Sequence, residues 1–126
     1  MRIGAALSTD PDPASAGAEA AGVAGSRLDG ADASLALLVA SRHHAPSAAL
    51  VLDAVRRAAR PERVVGCVAE TVVGGDREVE EGPAVAVWLA SLPEPAETFR
   101  IQFVRTSEGG VFTGYRFQGP GSVPTC

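Results

Sequence analysis

The 126 residues suffice for one domain and fall short of two ordinary ones. Apolar residues at 46% allow a core, and a charged fraction of 21% argues against a wholly disordered chain. Aromatics at 5% and a net charge of −4 exclude a base-stacking platform and a basic face for a polyanion, so no nucleic-acid partner is expected.

All 11 basic residues are arginine, the mark of a GC-rich genome rather than of a function. The absence of lysine removes P-loop, Schiff-base and lysine general-base chemistry. The two cysteines, Cys67 and Cys126, make no disulfide framework, and no CxxC, HExxH or Cys/His cluster supplies a metal site. The apolar stretch after Arg2 is too short for a signal peptide, and no run approaches a membrane span. A cytoplasmic protein with no membrane partner is expected.

In chain order, Ile3 to Leu7 reads as a first strand, ended by Ser8-Thr9-Asp10-Pro11. Asp12 offers an N-cap with Pro13 at the first helical position. The spacing of Ala14, Ala18, Ala21, Ala24 and Leu28 predicts a helix whose buried face is lined by methyl groups. Asp29-Gly30-Ala31-Asp32 is turn chemistry. Leu35 to Ala40 is a continuous apolar run, the pattern of a strand covered on both faces. His43 and His44 follow on an exposed loop. Ser47 caps a second helix that ends near Arg60, before Pro61, with a stripe of Ala48, Val51, Leu52, Val55, Ala58 and Ala59.

Val64 to Val68 is a third apolar strand and Ala84 to Ala90 a fourth, separated by a polar, glycine-containing loop from Glu70 to Gly82. Phe99, Ile101 and Phe103 alternate with polar residues, and after the turn at Thr106 to Gly110 the chain returns over Val111 to Phe117 as a hairpin. The fold class is α/β: a mixed sheet in β-α-β-α-β-β order covered by two helices, followed by a C-terminal antiparallel hairpin. One domain is expected over residues 1–118, with 119–126 a linker.

The segment from Gly66 to Pro83 leaves the carboxyl end of a strand, where open α/β sheets place ligand crevices. Its plain structural reading is a solvated loop with Gly66 and Cys67 packed in the core. A catalytic reading makes Cys67 a nucleophile beside His43 or His44, but no Gly-x-Cys-x-Gly elbow and no following helix support it. His43 and His44 are adjacent and do not chelate one metal together on a strand.

The same segment resembles the FIST family of sensory domains of intracellular signal transduction. The likeness is carried by Val65-Gly66-Cys67-Val68-Ala69-Glu70, by Gly74-Gly75-Asp76-Arg77-Glu78-Val79-Glu80, and by Pro83-Ala84-Val85-Ala86-Val87. Val68 and Thr71 depart from it, standing where serine and glycine are common. The resemblance implies a non-enzymatic domain that binds a small, amino-acid-like metabolite without a cofactor. Cys67, Glu70, Arg77 and Glu78 are the expected ligand-binding residues. In this reading Arg77 takes a ligand carboxylate bidentately, and Glu70 or Glu78 accepts from an amine. Family members continue into a C-terminal half, so a missing second half, or a signalling protein, is an expected partner. Exposed sheet surface is the corresponding structural expectation. Two other readings stand beside this one: a Cys67-dependent hydrolase, and a scaffold that recruits partners through the exposed edge of the Phe99–Phe117 hairpin.

Overall fold

A computed structural model describes residues 1–99 and 101–114. They fall into two compact units, divided between Ala96 and Glu97. The expected boundary at residue 118, the linker, Cys126 and the end of the returning strand lie outside the described residues.

The first unit is built on a four-stranded sheet of β1 (Arg2–Ser8), β2 (Leu35–Ser41), β3 (Arg63–Ala69) and β6 (Val85–Ser91) in the order β1-β6-β2-β3. Strand β6 runs antiparallel to both β1 and β2, and β2 runs parallel to β3. The three strands that precede it in this sheet therefore point the same way, and the fourth threads between two of them. The mixed α/β class is as expected.

Helices α1 (Pro13–Ser26) and α2 (Ala48–Ala59) lie together on one face. Beneath them Ala6, Ala36, Leu38, Val85, Val87 and Leu89 form the main core with Ala16, Ala20, Ala21, Ala24, Val51 and Val55. The methyl-lined helix is present, but its buried face is rotated from the expected one. Ala16, Gly17, Ala20, Ala21 and Ala24 are buried, while Ala14 and Ala18 are exposed. The reason is Gly17. A Cβ there would stand 2.8 Å from the Val51 carbonyl oxygen and 3.2 Å from the Ala54 Cβ, so the bare backbone marks where α1 meets α2. Helix α1 starts as predicted, with the Asp12 carboxylate accepting from the Ser15 amide at 2.8 Å and Pro13 in the first turn.

Helix α2 begins at Ala48 without a Ser47 side-chain cap, because a 3₁₀ turn over Arg42–Ser47 feeds directly into it. Its stripe narrows to buried Val51 and Val55, with Leu52 and Ala59 partly covered, while Ala48 and Ala58 are exposed. The 3₁₀ turn also corrects the reading of the histidines. His43 is exposed, but His44 is buried to 2% exposure.

The expected loop after β3 contains a short hairpin, β4 (Val72–Gly74) with β5 (Arg77–Val79). Its Val72 packs with Leu7, Ala84 and Ala86 on the sheet face opposite the helices. Gly74 allows the approach: a Cβ there would lie 2.9 Å from the Leu7 Cβ and 3.0 Å from the Ala86 Cβ. In the second unit, β7 (Ile101–Thr106) pairs antiparallel with β8 (Gly109–Gly114), the hairpin read from the alternation.

Candidate functional site

Because β1, β2 and β3 run in parallel, their carboxyl ends gather at one edge of the sheet. Open α/β sheets bind ligands at such an edge. Ser8 and Ser41, the last residues of β1 and β2, are both buried. Ser41 donates its amide to the Ala84 carbonyl at 2.9 Å and accepts the Ala84 amide on its hydroxyl at 3.0 Å. That reciprocal pair anchors the start of the 3₁₀ turn and fixes the residues that follow.

Next along the edge, Arg42 and His43 face Glu70, Glu80, Glu81 and Gly82 across a crevice of about 320 Å³. Arg42 lies 3.7 Å from Glu70, and both side chains are largely exposed, so this ion pair contributes little to stability and is free to open. Gly82, at φ +99°, turns the chain behind Glu80 and Glu81 in a backbone conformation that L side chains rarely adopt. The crevice thus presents three carboxylates against one guanidinium and one imidazole. Chemically, a guanidinium can pair with a carboxylate and carboxylates with an ammonium group.

At the carboxyl end of β1 a chain of side-chain and backbone bonds leads to α1. The Asp10 amide donates to the Ser8 hydroxyl at 3.2 Å, and the Asp12 amide donates to the Asp10 carboxylate at 2.9 Å. The Asp12 carboxyl is held below its ordinary range, first by the Ser15 backbone amide and then by the Ser15 side chain, with a smaller pull from His44. The buried His44 Nε2 has no hydrogen-bond partner among the described residues.

Of the four expected ligand residues, only Glu70 lines the crevice. The Arg77 guanidinium is turned to the Leu7 carbonyl at 3.3 Å. Glu78 is exposed on β5, opposite Val73. Cys67 is a free, exposed thiol on β3 rather than a core residue, and its strand borders a separate apolar groove with Leu38, Leu52 and Val64. No hydrogen bond joins Cys67 to His43 or His44 among the described residues. The residues not anticipated as ligand contacts are Arg42, His43, Glu80 and Glu81. Their signal was positional: two directly follow a parallel strand, and two directly precede a positive-φ glycine. Among the described residues no group of His, Cys, Asp and Glu side chains suits a metal ion. No helix among them is long and apolar enough to cross a membrane. A larger depression of about 550 Å³ lies at the carboxyl-terminal ends of both helices, lined by residues that include Leu28, Asp32, Arg60 and Glu62.

The chain has relatives among known proteins. Uncharacterized protein Rv0628c of Mycobacterium tuberculosis is 51% identical over 117 residues, covering 93% of this chain and 30% of the relative. Uncharacterized protein Mb0898c of Mycobacterium bovis is 50% identical over 117 residues, with the same coverage of 93% and 30%. The chain therefore spans about 30% of the length of these curated relatives. No solved structure matches it. The family profile described as "FIST N domain" matches residues 34–114, from just before β2 to the end of β8. With that match over more than half of its length, the chain belongs to the FIST N-domain family, which is associated with sensory signalling and ligand binding.

Proposed function

We propose that the protein is a non-enzymatic sensory domain of intracellular signal transduction that binds a small amino-acid-like metabolite in the crevice at the carboxyl edge of its sheet. The observation that carries the reading is the opposition of Arg42 and His43 to Glu70, Glu80 and Glu81 across about 320 Å³. This volume suits a ligand of amino-acid size. Arg42 holds the carboxylate, displacing its loose pairing with Glu70, and Glu80 and Glu81 hold the ammonium group. Glu70 is the residue common to this arrangement and to the set expected from sequence. The free thiol of Cys67 fits a reducing compartment, so the cytoplasm is the proposed location.

Thermal-shift measurement across the amino acids and their amine derivatives tests the proposal. A binding metabolite raises the melting temperature, and Arg42→Ala or the double change Glu80→Gln with Glu81→Gln weakens binding at least ~10-fold, the loss of about 1.4 kcal/mol. If no member of the panel stabilises the protein, or if both variants bind as well as the parent, the crevice is not the ligand site.

A further inference from the structure

Strand β3 is the outermost strand of its sheet, paired with β2 on one side and with no strand among the described residues on the other. From Val64 to Ala69 it carries no charge and no proline, the features that ordinarily blunt a sheet edge. Val65 and Val68 are 40% and 46% exposed. Parallel pairs such as β2–β3 are normally covered on both faces. Here both helices lie on one face, and the β4–β5 hairpin packs on the other against Leu7, Val39 and Ala86.

The uncovered part of that second face is apolar. Ile3 is 45% and Leu37 38% exposed, and Leu37 stands opposite the half-buried Trp88 in the pairing of β2 with β6. Together with Ala5 and the exposed Val73 of the hairpin, Leu37 and Trp88 line a concavity of about 280 Å³. Val65 continues the apolar surface from Leu37, its partner in register, to the open edge.

We infer that the β3 edge and this sheet face form one continuous interface for polypeptide of the kind the mycobacterial relatives carry beyond the region shared with this chain. The matched 117 residues are 30% of each relative, which leaves about 270 residues of the relative outside the match. The match to that relative covers 93% of this chain and so takes in β2, β3 and β6. A second copy of the chain answers only half of it. Edge-to-edge pairing of β3 extends the sheet in its own plane and leaves Leu37 and Trp88 in water, whereas stacking face on face leaves the edge unpaired. A longer segment that adds a strand to β3 and crosses back over the sheet covers both, and a parallel addition requires such a crossover. This interface is separate from the crevice, so the two proposals stand or fall independently.

The test mixes this chain with the separately produced remainder of the M. tuberculosis relative. Light scattering after size exclusion is expected to show a one-to-one complex. Amide exchange across residues 64–68 is expected to slow at least ~10-fold on mixing, as strand addition protects backbone N–H groups. Val65→Glu is expected to weaken the complex at least ~10-fold while leaving the circular dichroism of this chain unchanged. No complex, a complex that leaves exchange at 64–68 unaltered, or a homodimer that alone protects those amides overturns the inference. So does a chain ending at Ala96 whose amides at 35–39 exchange faster than in the full chain, since its own hairpin is then the cover. If the remainder does not fold alone, exchange at the matched strand of the intact relative decides between the outcomes: slow exchange there supports the inference, and fast exchange overturns it.

Discussion

The guanidinium of Arg77 donates to the carbonyl of Leu7 at 3.3 Å, joining residues 70 positions apart. The bond pins the β4–β5 hairpin to the carboxyl end of β1, next to the Gly74 contact with Leu7 and Ala86. The arginine expected as a ligand residue thus also ties the hairpin to β1. Arg77→Ala is expected to lower stability by about 0.5–1.5 kcal/mol, the ordinary worth of one such bond. Amide exchange should rise first in residues 72–79, with metabolite affinity at the crevice unchanged. Loss of affinity without faster exchange would return Arg77 to the ligand site.

Two glycines of α1 separate local propensity from packing. Gly22 has nothing within 4 Å of an added Cβ, so Gly22→Ala is expected to stabilise by up to about 1 kcal/mol. Gly17→Ala gains the same propensity but drives its methyl against the Val51 carbonyl oxygen at 2.8 Å. Overpacking of that kind costs about 1–3 kcal/mol, so the net change is destabilising. Urea unfolding of both variants reads the opposite signs directly.

Asp12 caps α1, and its carboxyl is held below the ordinary value of 3.8 chiefly by the Ser15 amide. A carboxyl depressed in the folded state contributes stability that is fully present above 3.8 and is lost as the pH falls through its folded value. Asp12→Asn keeps an oxygen acceptor and removes the charge. The difference in melting temperature between parent and Asp12→Asn should therefore be constant from pH 7 to about pH 5 and shrink below about pH 4. A difference that persists undiminished at about pH 2 would mean that geometry, not charge, provides the cap.

Cys67 is exposed and has no histidine hydrogen bond among the described residues. In a Cys126→Ser background, maleimide is expected to label it in the native state within about 2-fold of the rate in urea. A native rate raised ~100-fold or more would instead mark an activated thiolate and revive the hydrolase reading.

Strand positions were largely legible because apolar runs bounded by turn residues identify them: Leu35 to Ala40 and Ala84 to Ala90 fall within a residue of the observed strands. The Asp12-Pro13 helix start was equally readable, since a cap and a proline act locally. What escaped was set by distant contacts. Nothing near Gly17 announces that Val51 will lie against it, so alanine spacing alone pointed to the wrong face of α1. The Glu70–Gly82 segment hid a hairpin because its strands are three residues each, too short for alternation to register. At the candidate site, Glu70 follows β3 as the sequence places it and lines the crevice. Arg42 and the paired glutamates needed the sheet order before they could be seen to face it. Continuous apolarity misled at β2: the pattern of a doubly covered strand belongs here to one whose Leu37 is 38% exposed.

The placement of β6 has a consequence for how the chain reaches this state. β1 and β2 never touch as sheet neighbours; they are joined only through a strand that leaves the ribosome about 45 residues after β2 is made. Until Val85–Ser91 arrives, among the described residues the backbone groups of β1 have no partner strand and β2 has only β3. The order of synthesis therefore makes the last strand of this sheet the closing wedge, and the sheet forms late and through contacts distant in sequence, which is the slow class of assembly. A nascent chain arrested before Val85 should hold its two helices loosely over a split sheet, exposed to chaperones along the gap that the wedge later fills.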